Sequence, residues 1–266
     1  MEKAVDDNKN EPRCFMKSRY FAASCQQPKR NKIFIFPYAG GGASAFKNWQ
    51  DEFDDTEILA AQYPGRENRI KEEPVDNLDL LVKEVFNDIK PLINDGIPYF
   101  LFGHSLGTKV AYELALLIQK SNLPYQPKGV IISAGKAPCF KEKNPIHELD
   151  TANFIREISR FSGTPKEILG TRSLMDVFMP MLRADFKMDE TYQRETAEKI
   201  NCPVLALMGT VDPELTLEEL LTWREYTNKE FIYKSVEGAH MFINTYRAMA
   251  IDAIRDFING QSCNNT

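Results

Sequence analysis

At 266 residues, with 43% hydrophobic and 27% charged side chains, the chain has the composition of a globular protein large enough for one sizeable core, and a single domain carrying an insertion is expected. The formal net charge of −5 provides no electrostatic footprint for nucleic acid, no run approaches the roughly eighteen apolar residues of a membrane span, and the polar start MEKAVDDNKNEPR lacks a signal-peptide core. A cytoplasmic protein with neither nucleic-acid nor membrane partners is expected, and its five scattered cysteines, without C-x-x-C spacing, read as free thiols.

Residues 1–31 show no sustained period and read as a flexible N-terminal extension, so the domain proper is placed at 32–266. It opens with KIFIF at 32–36, a β-branched and aromatic run ended by Pro37 and the glycine-rich loop at 39–42. A helical pattern follows at 43–53, then a second strand at 57–63 closed by Pro64-Gly65. Leu80, Leu81, Val85, Phe86, Ile89 and Ile93 recur at helical spacing before an apolar run at 99–102. Val110, Leu114, Leu117 and Ile118 mark the next helix, and GVIIS at 129–133 the next strand. Continuous apolar strands alternating with helices predict a doubly wound α/β fold with a mostly parallel sheet.

Between about 136 and 199 the alternation lapses, and this segment reads as an inserted helical lid. Within it Leu174, Met175, Val177, Phe178, Met179, Met181 and Leu182 are apolar nearly all round, which fits plain core packing or a methionine-lined, adaptable acyl channel. The alternation resumes with a strand at 203–208, a helix near 217–226, a strand at 231–236 and a last helix at 246–258.

The chemistry is announced at 103–107, GHSLG, where the strand stops and a helix begins. A serine at the tip of a tight strand-to-helix turn leaves no room for side chains two residues either side, which explains Gly103 and Gly107 around Ser105. A serine hydroxyl is a poor nucleophile at neutral pH and needs a base, itself oriented by a carboxylate. Of three histidines, His104 adjoins the serine and points away from it, His147 sits in the lid and reads as an exposed surface residue, and His240 follows the last strand at the carboxyl edge of the sheet. His240 is the candidate base. The loop after 203–208 offers Asp212 and Glu214; Asp212 comes first after the strand and precedes Pro213, and is favoured as the orienting acid with Glu214 as the alternative. An oxyanion needs backbone amides, one from Leu106 and one from Tyr38 or Ala39 in the loop after the first strand. That loop matches no phosphate-binding pattern.

With these residues placed, the chain resembles the stand-alone type II thioesterases of nonribosomal peptide and polyketide synthases, members of the α/β-hydrolase superfamily. The resemblance rests on FPYAGGGAS at 36–44, YPGRENR at 63–69, GHSLG at 103–107, SGTP at 162–165, LRADF at 182–186 and GAHMF at 238–242. It implies Ser105 as nucleophile, His240 as base, Asp212 as its orienter, and the amides of Tyr38, Ala39 and Leu106 as the oxyanion hole. It further implies hydrolysis of acyl or aminoacyl thioesters from the phosphopantetheine arm of a carrier protein, with no metal or cofactor, by a monomer. Medium-chain fatty acyl thioesterases share most of these runs, and a carboxylesterase would use the same scaffold. A binding protein without turnover is disfavoured, because no member of the triad is missing. Arg66, Arg69 and Lys71 read as a solvated charged face or, alternatively, as a contact for an acidic carrier protein.

Overall fold

The computed structural model describes residues 18–22, 29–161, 163–164 and 166–263. Six strands form one sheet: β1 (Asn31–Phe36), β2 (Thr56–Ala60), β3 (Tyr99–His104), β4 (Gly129–Ser133), β5 (Val204–Gly209) and β6 (Phe231–Val236). They lie in the order β2-β1-β3-β4-β5-β6, and every adjacent pair is parallel. β2 ends at Ala60, short of the expected 63: Ala61 still donates to the Ile35 carbonyl of β1 at 2.8 Å and bridges Phe21, and the chain then bends through Pro64-Gly65.

Alternate residues of each strand bury against opposite layers, as the two-residue period of a strand requires. Phe34, Phe36, Leu101 and Ile132 face the helices α1 (Leu78–Ile93) and α2 (Leu106–Lys120). Ile33, Ile35, Phe100, Phe102 and Ile131 face the other layer. That layer consists of a 3-10 helix at Ala43–Glu52 carrying Phe46 and Trp49, and the C-terminal helix, whose inward face is Ala250, Ile251, Ile254 and Phe257. Asn77 caps α1 by accepting from the Leu80 amide, which fixes where that helix begins.

The insertion between β4 and β5 holds α3 (Thr151–Ile158), a short α4 (Lys166–Leu169) and the long α5 (Arg172–Thr191). It has its own apolar cluster of Ile146, Phe154, Ile158, Met175, Met181, Leu182 and Phe186. Leu174 and Val177 are exposed, so α5 is not covered on all faces. After β5 come α6 (Leu217–Leu221) and a 3-10 turn at Thr222–Tyr226; after β6 come α7 (Phe242–Thr245) and α8 (Arg247–Cys263). No helix among the described residues is long and apolar enough to cross a membrane. Cys139 and Cys202 are free thiols.

Of the expected extension, residues 1–17 and 23–28 lie outside the described residues, but 18–22 belong to the body. Tyr20 and Phe21 are buried, the Tyr20 carbonyl accepts from the Gln62 amide at 2.7 Å, and Asp88 of α1 accepts from the amides of Arg19 and Tyr20 at 2.9 Å each. This short piece bridges the end of β2 through Phe21 and Ala61, and five residues are too few to show a period.

Sequential strands step outward from β1 in one direction and then, from β3 onward, in the other. The reversal lies between β1 and β3, and in open parallel sheets the crevice at such a reversal, beyond the strand carboxyl ends, is where ligands sit. The loop after β1 and the turn after β3 meet there.

Candidate active site

Ser105 occupies the turn between β3 and α2 with φ 54° and ψ −119°, a left-handed conformation costly for any residue with a Cβ. The turn is held from both sides. The Ser105 amide donates to the Ser133 carbonyl of β4 at 2.8 Å, and the Thr108 amide and hydroxyl both donate to the Ser105 carbonyl, at 3.0 and 2.7 Å. A Cβ on Gly103 would run into the Gly107 carbonyl, and one on Gly107 into the Phe36 carbonyl. The glycines therefore let the start of α2 press directly on the end of β1.

His240 and Asp212 reach the serine from two neighbouring loops. Gly209 at the end of β5 lies so close to the Gly238 and Ala239 carbonyls that a side chain could not be accommodated, so these loops touch through their backbones. That contact places Asp212 beneath His240. His240 Nε2 is 3.0 Å from Ser105 Oγ, and its Nδ1 is 2.9 and 3.2 Å from the two carboxylate oxygens of Asp212. The Asp212 side chain is fully buried and that of His240 nearly so. Asp212 Oδ1 also accepts from the Glu214 amide at 2.9 Å, closing a short Asx turn through Pro213. Glu214 itself turns outward to ion-pair with Arg160 of the lid at 3.3 Å. Of the two carboxylates weighed from the sequence, Asp212 is the one beside His240.

Among the described residues the backbone N–H groups of Tyr38, Ala39 and Leu106 have no hydrogen-bond acceptor. Leu106 is the first residue of α2, where an amide has no acceptor within the helix. The loop after β1 is a turn closed by the Gly41 amide donating to the Tyr38 carbonyl at 2.9 Å, with Gly40 at φ +78°. Within that turn the Gly40 amide donates to Asp185 at 2.8 Å, so the amides without an acceptor, Tyr38 and Ala39 here and Leu106 at the start of α2, are the donors available to an oxyanion.

His104 is fully buried, its Nδ1 2.9 Å from Ser133 Oγ and its ring edge-on to Tyr38 and Phe242. Burial, and secondarily the neighbouring His240, push its pKa well below 6.5, so it stays neutral. Its role is packing, as expected. His147 differs from expectation. Instead of an exposed residue it is half-buried, its Nδ1 2.5 Å from Glu190 Oε2, and that carboxylate also accepts from the amides of Ile146 and His147.

Arg66 and Arg69 overturn both readings given to them. Neither is a solvated face nor a docking surface; both are buried, Arg66 against Asp185 of α5 and Arg69 against Glu72, and only Lys71 is exposed. The partner of Arg66 lies 119 residues away, a separation that no local pattern reveals.

The cleft over Ser105 is lined by paired charges. Lys109 with Asp189, Lys136 with Glu142 and Arg160 with Glu214 all border it, together with Phe140, Phe161 and Phe186. Among the described residues no methionine lines it. Met175 and Met181 pack inside the lid's own cluster, which supports the core-packing reading over the methionine channel.

Three comparisons bear on this geometry. A family model described as a thioesterase domain matches residues 31–261. The gramicidin S biosynthesis protein GrsT of Aneurinibacillus migulanus is 39% identical over 226 residues, which are 83% of this chain and 86% of that protein. Thioesterase PikA5 of Streptomyces venezuelae is 35% identical over 80% of this chain and 75% of its own length. Among solved structures, the type II thioesterase BorB from the borrelidin biosynthetic cluster superimposes with a TM-score of 0.81 at 26% identity, covering 91% of this chain and 98% of BorB.

Proposed function

Because the chain belongs to the thioesterase family and is a thioester hydrolase, we propose that it clears acyl and aminoacyl groups from the phosphopantetheine arms of carrier proteins in nonribosomal peptide or polyketide synthesis. The observation that carries the mechanism is the hydrogen-bonded line Ser105 Oγ, His240 Nε2, His240 Nδ1, Asp212.

In this reading His240 accepts the Ser105 proton as the oxygen attacks the thioester carbonyl. Asp212, buried and hydrogen-bonded to Nδ1, holds the ring in the tautomer that leaves Nε2 free to accept, and then stabilises the imidazolium. The amide of Leu106 and that of Tyr38 or Ala39 take up the charge developing on the carbonyl oxygen. The thiol departs with the proton from His240, leaving an acyl-enzyme. A water deprotonated by the same imidazole attacks the ester, and the acid is released.

The paired charges around the cleft favour short or polar acyl groups over a medium-length alkyl chain, since burying methylenes against charged groups forgoes the ~0.8 kcal/mol per CH₂ that an apolar channel would return. The test is a hydrolysis panel of carrier proteins loaded with acyl and aminoacyl groups of graded length, run beside simple oxygen esters. Fast release of short and aminoacyl thioesters, abolished in Ser105→Ala, is the expected result. A preference for medium-chain fatty acyl thioesters or for oxygen esters overturns the carrier-editing assignment.

A further inference from the structure

A buried charge pair that does not touch the triad links the lid to the loops beside Ser105. Asp185, on the lid helix α5, is fully buried, and Arg66, in the loop after β2, nearly so. They meet as a two-pronged pair, Nη1 to Oδ2 at 2.6 Å and Nη2 to Oδ1 at 2.8 Å. Both also bind the turn after β1. Asp185 Oδ2 accepts from the Gly40 amide at 2.8 Å, and Arg66 Nη1 donates to the Gly41 carbonyl at 3.2 Å. Arg66 is steadied in turn by its Nε donating to the Pro64 carbonyl and its own carbonyl accepting from Gln62.

We propose that Arg66 and Asp185 are positioning residues for the oxyanion hole, clamping the Tyr38–Gly41 turn so that its free amide is held toward the crevice above Ser105. The inference rests on the acyl-enzyme reading above. With the Gly40 amide committed to Asp185 and the Gly41 amide to the Tyr38 carbonyl, the amides of Tyr38 and Ala39 are the ones left in this turn to meet a substrate oxygen. Rotation of the Ala39–Gly40 peptide, which Gly40 at φ +78° would otherwise allow, breaks the bond to Asp185. Stability alone does not account for the pair, because a buried ion pair is commonly matched or bettered by apolar side chains of similar volume. An apolar pair could fill the same space. It could neither accept from Gly40 nor donate to Gly41.

The test uses the full chain in three forms: wild type, Asp185→Asn, and the double variant Arg66→Met with Asp185→Leu, which removes both charges together and leaves none unpaired. An alkyl fluorophosphonate is the probe. Its labelling stoichiometry at completion counts intact Ser105 sites, and its rate of labelling, like kcat on an acyl thioester, depends on the oxyanion donors. Per labelled site, kcat and labelling rate are expected to fall about 10- to 100-fold in both variants, with KM within about 3-fold, the pattern of an interaction made in the transition state. Wild-type turnover per labelled site in either variant overturns the proposal, including where the number of labelled sites has dropped. Failure of the wild type itself to label at Ser105 or to cleave thioesters would instead sink the underlying reading.

Discussion

The imidazole of His104 stands 5.5 Å from that of His240, centroid to centroid, with the planes at 53°, and burial keeps it neutral. Above about pH 6.5 neither the folded nor the unfolded chain carries a proton on His104. Below that pH the unfolded chain binds one and the folded chain, its pKa depressed, does not, so stability declines as pH falls. The slope contributed by this one site approaches 1.36 kcal/mol per pH unit. Urea unfolding at pH 7, 6 and 5 should show a slope smaller by one proton in His104→Asn; an unaltered slope would contradict the buried neutral imidazole.

Ser105 carries backbone strain that only glycine relieves. Ser105→Ala removes the nucleophile while keeping the strain, and Ser105→Gly removes both. Each should lose thioester turnover by at least ~10³-fold. Thermal unfolding should find the glycine variant more stable than the alanine variant by about 1–3 kcal/mol. Equal stabilities would mean the φ of 54° costs nothing here.

The two acids of the loop after β5 separate cleanly. Asp212→Asn preserves shape but stabilises the wrong tautomer of His240, and kcat is expected to drop by roughly 10⁴-fold. Glu214→Gln breaks a partly exposed ion pair with Arg160 and should leave kcat within about 3-fold. The reverse ranking would hand the orienting role to Glu214.

Gly107→Ala places a methyl against the Phe36 backbone carbonyl, which ends the interior strand β1, paired on both sides, and cannot yield. A loss of about 4 kcal/mol or more is expected, read as a falling midpoint in urea. A stable, active alanine variant would show that the start of α2 can stand off from β1.

What the sequence disclosed and what it withheld divide along chain separation. The turn at Ser105 is spelled by five consecutive residues, and His240 and Asp212 follow strands whose apolar runs announce the carboxyl edge of the sheet. Elimination leads to His240 because three histidines is a short census, and the structure sets its Nε2 3.0 Å from Ser105 Oγ. The charge of Arg66 is visible locally and its neutralising partner is not; nothing near YPGR hints at Asp185, 119 residues on. The same holds for His147, whose partner Glu190 lies 43 residues on. The methionines of α5 repeat at helical spacing whether they face a core or a channel, and only the packing of Met175 and Met181 inside the lid separates the two.

The attachment of α5 to the turn after β1 sets the direction in which the roof of the cleft can open. Lifting that helix would tear Asp185 from Arg66 and strand two buried charges, a penalty of about 3–5 kcal/mol. On the opposite side Arg160 and Glu214 are joined through a pair with Arg160 43% exposed, and parting them in water costs under about 1 kcal/mol. Of these two contacts, the one that anchors the turn after β1 is thus the costly one to part, and the cheap one lies against the loop after β5.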